Sequence, residues 1–157
     1  MTKQTFRINL IAGSLMVLSG MLSPAWGQGR SGACTDRILF GDFALIVEGL
    51  VFPAPGVQVS VRGLAMTNFD GEGGLTQVDH IVIGGQTPAV DWTPGTGSYR
   101  VNSDCTGTMR INVPSTGDFV NLRIVVAGQG RTIYAVVTAP FSGPPRTVTS
   151  TGTRRDY

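Results

Sequence analysis

The sequence predicts an all-β protein, a single antiparallel up-and-down barrel of about eight strands, with a two-sheet β-sandwich as the alternative. Three observations support this fold class. Apolar and polar residues alternate along most of the chain after Ile38, as they do in half-buried strands. Clusters of turn-forming residues separate these runs at short intervals, and short links join antiparallel neighbours. No helical period extends far enough to form a helix, and closure into a barrel would leave no exposed sheet edge.

The predicted strands are the runs between the turns. The first, from Ile38 to Val51, is mostly apolar and contains Gly41 and Gly49, which suit the bends of a small barrel. A turn from Pro53 to Gly56 ends it. The segment from Ala89 to Thr96 fits either a short strand or a long loop. The other seven predicted strands are Val57 to Phe69 with Gly63 inside, Leu75 to Ile83, Ser98 to Asn102, Thr108 to Val113, Phe119 to Ala127, Arg131 to Thr138 and Arg146 to Arg155.

The first 27 residues have the pattern of a secretory signal peptide. Lys3 and Arg7 precede a mostly apolar run from Ile8 to Leu22, and Ala25 and Gly27 supply small residues where a signal peptidase cleaves. The run is short and glycine-interrupted for a transmembrane helix, and the strands lack the aromatic girdles of an outer-membrane barrel. We therefore predict a signal peptide over residues 1–27, one domain over residues 28–157, and an exported, periplasmic or extracellular protein that does not span the membrane.

Two cysteines in an exported chain predict one disulfide. Cys34 lies just ahead of the first strand, and Cys105 lies in the turn of the hairpin formed by the fourth and fifth strands. A Cys34–Cys105 bond would close a loop of about 72 residues and tie the start of the fold to that hairpin. The chain-entropy model gives such a loop about 4 kcal/mol of stabilisation.

The charge distribution argues against a nucleic-acid partner. The chain has 12 Lys and Arg and 10 Asp and Glu, and Lys3 and Arg7 lie in the predicted signal peptide. The predicted mature domain therefore contains ten basic residues, all arginines, and ten acidic residues. The arginines are scattered along the chain, without the clustering of a nucleic-acid footprint.

Two motifs carry a resemblance to other proteins. The segments Phe69-Asp70-Gly71-Glu72-Gly73 and Gly97-Ser98-Tyr99-Arg100-Val101-Asn102-Ser103-Asp104-Cys105-Thr106-Gly107-Thr108 resemble a group of uncharacterised secreted bacterial proteins that share an FDGxG turn, a GxYxVNxDCTGT hairpin and an early cysteine. This resemblance implies no activity and no catalytic residue. In strand count alone, the chain is similar to small lipocalin-like barrels and to the allene oxide cyclase barrel, and fold does not fix function.

The sequence offers no catalytic residue, no metal ligand set and no cofactor motif. His80 is the sole histidine, and the adjacent Asp79 points to the opposite face of the strand, so it is not placed to orient His80 as a general base. One histidine and two paired cysteines do not supply the ligand set of a zinc site. Asp70, Glu72 and Asp79 could suggest a calcium site, but the glycine-rich loop from Asp70 to Gly74 lacks the acid spacing and the distal glutamate of a calcium loop, and we predict a solvated turn there.

The alternation of the later strands predicts which side chains face inward. The uniformly apolar set is Leu122, Ile124, Val126, Ile133 and Val137, which we predict as core because burying each such side chain is worth about 1.5 to 3 kcal/mol. Arg123 and Tyr134 then face outward, as do Arg100 and Arg110. An anionic ligand or another subunit remains the alternative role for these arginines. The candidate ligand-binding residues are His80, Arg100, Arg123 and Tyr134.

Two functional hypotheses follow. The first is a non-enzymatic β-barrel that binds a small apolar ligand in its lumen or mouth. The second is a cofactor-free isomerase or cyclase that shapes an apolar substrate inside an allene oxide cyclase-like barrel. A lumen cavity of a few hundred Å³ containing His80, Tyr134, or an arginine together with a carboxylate would favour the enzyme. Oligomeric state and ligand identity do not follow from the sequence.

Overall fold

A computed structural model describes residues 33–113, 117–138 and 144–156 and confirms the closed, antiparallel, eight-stranded barrel. Each strand pairs with its neighbours in the sequence, and the first strand pairs with the last to complete the cylinder. The predicted signal peptide over residues 1–27 lies outside the described residues. The strands are β1 (Phe40–Ala54), β2 (Val57–Asp70), β3 (Gly74–Ile83), β4 (Thr93–Val101), β5 (Thr106–Val113), β6 (Asp118–Ala127), β7 (Thr132–Thr138) and β8 (Arg146–Arg154).

The strand bounds differ from the sequence prediction mainly at β1 and β4. β1 begins at Phe40 because Asp36–Ile38 form a 3₁₀ turn ahead of it. β4 begins at Thr93, within the segment that the sequence left open. Backbone pairing with β3 extends β4 here, since Thr93 is the partner of Asp79. Such pairing needs no apolar alternation, so the sequence pattern does not reveal it.

One end of the barrel is closed by aromatic side chains. Phe43 and Phe69 are fully buried, with ring centroids 5.2 Å apart and planes nearly perpendicular. Tyr99 packs edge-on against Phe69 at 5.0 Å. The Tyr99 hydroxyl donates to the carbonyl oxygens of Asp36 (3.1 Å) and Leu39 (3.0 Å), so this aromatic stack also holds the chain that enters the barrel. We call this end of the barrel the closed end.

The Cys34–Cys105 disulfide is confirmed and lies at the closed end. The backbone N–H of Cys34 donates to the carbonyl oxygen of Ser103 (3.2 Å), and the carboxylate of Asp36 accepts from the backbone N–H of Val101 (2.6 Å). The segment before β1 therefore lies against the β4–β5 hairpin, as the sequence predicts.

The predicted inward faces of β6 and β7 are also confirmed. Leu122, Ile124, Val126 and Ile133 belong to the buried core, and Val137 packs against it while partly buried. The strand glycines fit the close approach of neighbouring strands. A Cβ on Gly49 would collide with the carbonyl oxygen of Thr147. Among the described residues, no helix has the length and apolar character needed to cross a membrane.

Candidate functional site

The barrel lumen holds a cavity of about 450 Å³ at the end opposite the aromatic stack. Its lining becomes more exposed towards this end, from 4% at Leu45 to 47% at Ile83, so the cavity opens there. We call this end the mouth. Most of the cavity surface is aliphatic. The apolar residues that line it are Leu45, Val47, Val51, Val61, Ala65, Ile81, Ile83, Pro88, Met109, Ile111, Val113, Phe119, Val120, Leu122, Val137 and Val148.

A row of hydrogen-bonded polar side chains lies on β2 and β3 beside this apolar wall. The hydroxyl of Thr67 donates to Oε1 of Gln77 (2.9 Å), and Nε2 of Gln77 donates to Oδ2 of Asp79 (2.9 Å). Thr67 is fully buried and Gln77 is 9% exposed. Thr67 and Gln77 are cross-strand partners, so the sheet register fixes the row. Gln77 and Asp79 line the cavity, whereas Thr67 does not and contacts Gln77 from the neighbouring strand.

The carboxyl group of Asp79 is the acidic group of this cavity lining. Burial raises the pKa of Asp79 above its usual value, and the hydrogen bond from Gln77 and the charge of His80 offset part of that rise. Within the described part of the chain, Oδ2 of Asp79 accepts a hydrogen bond from Gln77, and Oδ1 of Asp79 has no hydrogen-bond partner. Arg146, at the start of β8, also lines the cavity, as do the hydroxyl residues Ser150 and Thr149.

This arrangement can hold an apolar molecule that carries an oxygen-containing group. The aliphatic wall removes apolar surface from water, and Oδ1 of Asp79 remains available for one polar contact. A protonated Asp79 donates a hydrogen bond, whereas an ionised one accepts, so the same residue suits a carbonyl or a hydroxyl group.

The candidate ligand-binding residues from the sequence do not line the cavity. His80 lies on the outer wall, where Nδ1 contacts the Asp91 carboxylate at 3.1 Å and the ring lies 6.0 Å from that of Trp92. This histidine therefore holds the segment between β3 and β4. Tyr134 is 51% exposed on the outside of β7. Arg100 and Arg123 are also on the outside, where they line a surface groove with Arg110.

The acidic loop near Asp70 stabilises its own turn. Oδ1 of Asp70 accepts from the backbone N–H groups of Glu72 (2.7 Å) and Gly74 (2.9 Å). These hydrogen bonds lower the pKa of Asp70. The exposed turn predicted from the sequence is what the structure shows.

Sequence reasoning considered Asp79 only as a partner for His80 or for a calcium ion, and it missed Gln77 and Arg146 altogether. The alternation of β3 carries a usable signal. Residues 75, 77, 79, 81 and 83 share one face, and that face has apolar residues at both ends and Gln77 and Asp79 in the middle. Two polar residues inside an apolar face indicate a polar row in the lumen. The position of Arg146 depends on barrel closure, which alternation does not report.

Comparison with known proteins adds no family assignment, since the sequence matches no protein-family model and no curated protein at a significant level.

Proposed function

We propose that this protein is an exported, non-enzymatic binding protein that takes up a small apolar molecule through the mouth of the barrel. The observation that carries the proposal is the apolar lumen cavity of about 450 Å³. Binding sites for small molecules typically have about 300–1,000 Å³, mostly apolar walls and a few placed polar groups. Eight-stranded barrels are wide enough to hold one small ligand, as lipocalins do. The intramolecular disulfide supports export, because such bonds persist in oxidising compartments.

The polar row of Thr67, Gln77 and Asp79 indicates which kind of apolar molecule the cavity binds. A purely hydrocarbon ligand would leave Oδ1 of Asp79 without a partner in a water-poor site, which costs free energy. An apolar ligand with one carbonyl or hydroxyl group would satisfy it. We therefore place the oxygen-bearing end of the ligand beside Asp79 and its apolar body along β5, β6 and β8.

A fluorescence titration with N-phenyl-1-naphthylamine tests the binding proposal, because this neutral probe becomes brighter in an apolar site. We expect saturable binding that a matched pair of variants separates. Ala65→Phe places a ring in the cavity, whereas Ala44→Phe places it on the outer face of the neighbouring strand. Binding of the probe should be lost in Ala65→Phe and retained in Ala44→Phe. Cooperative unfolding on heating shows that both variants are folded. Equal probe binding by the two variants would contradict the proposal.

The second candidate function is a cofactor-free isomerase or cyclase, and Asp79 is the observation that favours it. The cavity contains the carboxyl group of Asp79 and the arginine Arg146, and a carboxyl group together with an arginine favours an enzyme. A raised pKa suits a carboxyl that donates a proton at one position of a substrate. The carboxylate left behind can remove a proton at another position, so the product has the composition of the substrate.

Mass spectrometry with chromatographic separation distinguishes the two functions. The protein is incubated with a panel of unsaturated lipids and small apolar metabolites, and each compound is recovered by extraction. An isomer of unchanged mass that forms with the wild type but not with Asp79→Asn indicates the enzyme. Compounds that bind and are recovered unchanged indicate the binding protein.

A further inference from the structure

Three arginines from neighbouring strands meet on the outer wall of the barrel, away from the cavity. Arg100 and Arg123 flank Thr108 in register, from β4 and β6. Arg110 lies two residues further along β5, and all three arginines are exposed. They line one surface groove of about 350 Å³, which we call the arginine groove. The other polar residues that line it are Ser98, Thr108, Asn121 and Thr138.

The strand register fixes the spacing of the three cations. Adjacent strands lie about 4.8 Å apart, so the Cα atoms of Arg100 and Arg123 are separated by roughly 10 Å across Thr108. Two residues along a strand cover about 7 Å, which sets Arg110 at the third corner of a triangle. Long side chains at this spacing can converge on one small ligand in the groove.

The positive charge of the arginine groove is not neutralised by its own lining. No acidic residue is among the described residues that line it. In the described ranges, no hydrogen bond or ion pair engages the guanidinium group of Arg100 or Arg123. Arg110 is held in place instead, since its guanidinium carbon lies 3.8 Å from the centroid of the Phe119 ring and Nε donates to Oδ1 of Asn112 (3.3 Å). Its terminal N–H groups are left for a ligand.

We infer that the arginine groove binds a tetrahedral oxyanion, the phosphate or sulfate group of a ligand distinct from the molecule in the lumen. The guanidinium fork matches two oxygens of such a group, and the hydroxyl groups of Ser98 and Thr108 add further donors. A doubly charged anion relieves the mutual repulsion of three cations, which a neutral ligand does not. None of the three arginines or the hydroxyl residues of this groove lines the lumen cavity, so the site is separate from the one in the proposed function.

Titration with inorganic phosphate, followed by ¹H–¹⁵N NMR of the oxidised protein at constant ionic strength, tests the inference. We expect saturable shifts confined to amides of residues 98–100, 108–110 and 121–123. The double variant Arg100→Gln/Arg123→Gln should weaken binding at least about tenfold. The matched double variant Arg62→Gln/Arg131→Gln removes the same charge from exposed positions outside the groove and should bind as the wild type does. Equal weakening by both pairs, or shifts that rise linearly without saturation, would overturn the inference.

A second arm of the experiment identifies the source of the oxyanion, because a lipid headgroup and a soluble phosphate ester present the same chemistry. The protein is sedimented with vesicles of phosphatidylcholine containing phosphatidic acid, whose headgroup is a phosphomonoester, with and without added phosphate. Sedimentation that phosphate competes away and that Arg100→Gln/Arg123→Gln abolishes assigns the groove to a lipid headgroup. Saturable phosphate binding without sedimentation assigns it to a soluble ester or ion.

Discussion

Substitution of Ile124 by aspartate tests the assignment of the barrel interior most directly. Ile124 is 2% exposed in the middle of β6, and its cross-strand partners are Gly107 on β5 and Ala135 on β7. Because both partners are small, the Ile124 side chain fills the space that they leave. A Cβ built on Gly107 would lie only 3.1 Å from Cγ1 of Ile124, so Ile124 occupies the space that a larger residue at position 107 would need.

The expected loss follows from two contributions. Removing a buried isoleucine side chain forfeits about 1.5 to 3 kcal/mol of hydrophobic stabilisation. Placing a carboxylate there adds a desolvation penalty of several kcal/mol, because the described neighbours offer no charged partner. Domains of this size are stable by about 5–15 kcal/mol, so Ile124→Asp should remove most or all of the stability. The milder Ile124→Ala should cost about 2 to 5 kcal/mol and remain measurable.

Urea denaturation of the oxidised protein, followed by far-UV circular dichroism, provides the measurement. The adjacent exposed residue supplies the matched control, since Arg123→Asp should change the free energy of unfolding by no more than about 0.5 kcal/mol. If Arg123→Asp is the severe change and Ile124→Asp the mild one, the inward and outward faces are inverted. The lumen would then be polar, and it could not hold the apolar ligand that we propose.

Three further predictions concern the disulfide, the buried carboxyl and the strand contacts. Replacing Cys34 and Cys105 by serine should lower the free energy of unfolding by about 4 kcal/mol in urea denaturation, because the bond closes a long loop at sequence separation 71. The wild type in reductant should show the same loss as this variant. Burial raises the folded-state pKa of Asp79, so the stabilising contribution of its protonated carboxyl is complete below the usual aspartate pKa and is lost as pH rises through the folded pKa. The free energy of unfolding, measured at a series of pH values, should show this decline in the wild type and not in Asp79→Asn. At neutral pH, Asp79→Asn should be the more stable protein. Gly49→Ala should cost about 1 to 3 kcal/mol or more, measured by thermal unfolding, because its Cβ meets the Thr147 carbonyl oxygen; an unchanged Tm would mean that β1 and β8 are further apart than described.

Local patterns in the sequence were sufficient to predict the strands and the disulfide. Alternation has a period of two, which a strand must show when one side faces a core, so it located all eight strands and the inward face that includes Leu122 and Ile133. The two cysteines left a single intramolecular pairing. The export signal remains a prediction from the sequence, because residues 1–27 lie outside the described part of the chain.

Closure of the barrel decided what the sequence could not. Whether the lumen is packed or hollow depends on how side chains from all eight strands fill a common volume, and no single strand reports that volume. Phe43, Phe69 and Tyr99 fill the closed end, whereas smaller aliphatic residues leave the cavity at the mouth. The same closure brings Arg146 into a cavity with Asp79, although the two are far apart in the chain. Pairing of three strands likewise gathers Arg100, Arg110 and Arg123 into one groove, because residues distant in sequence become neighbours only when register is set.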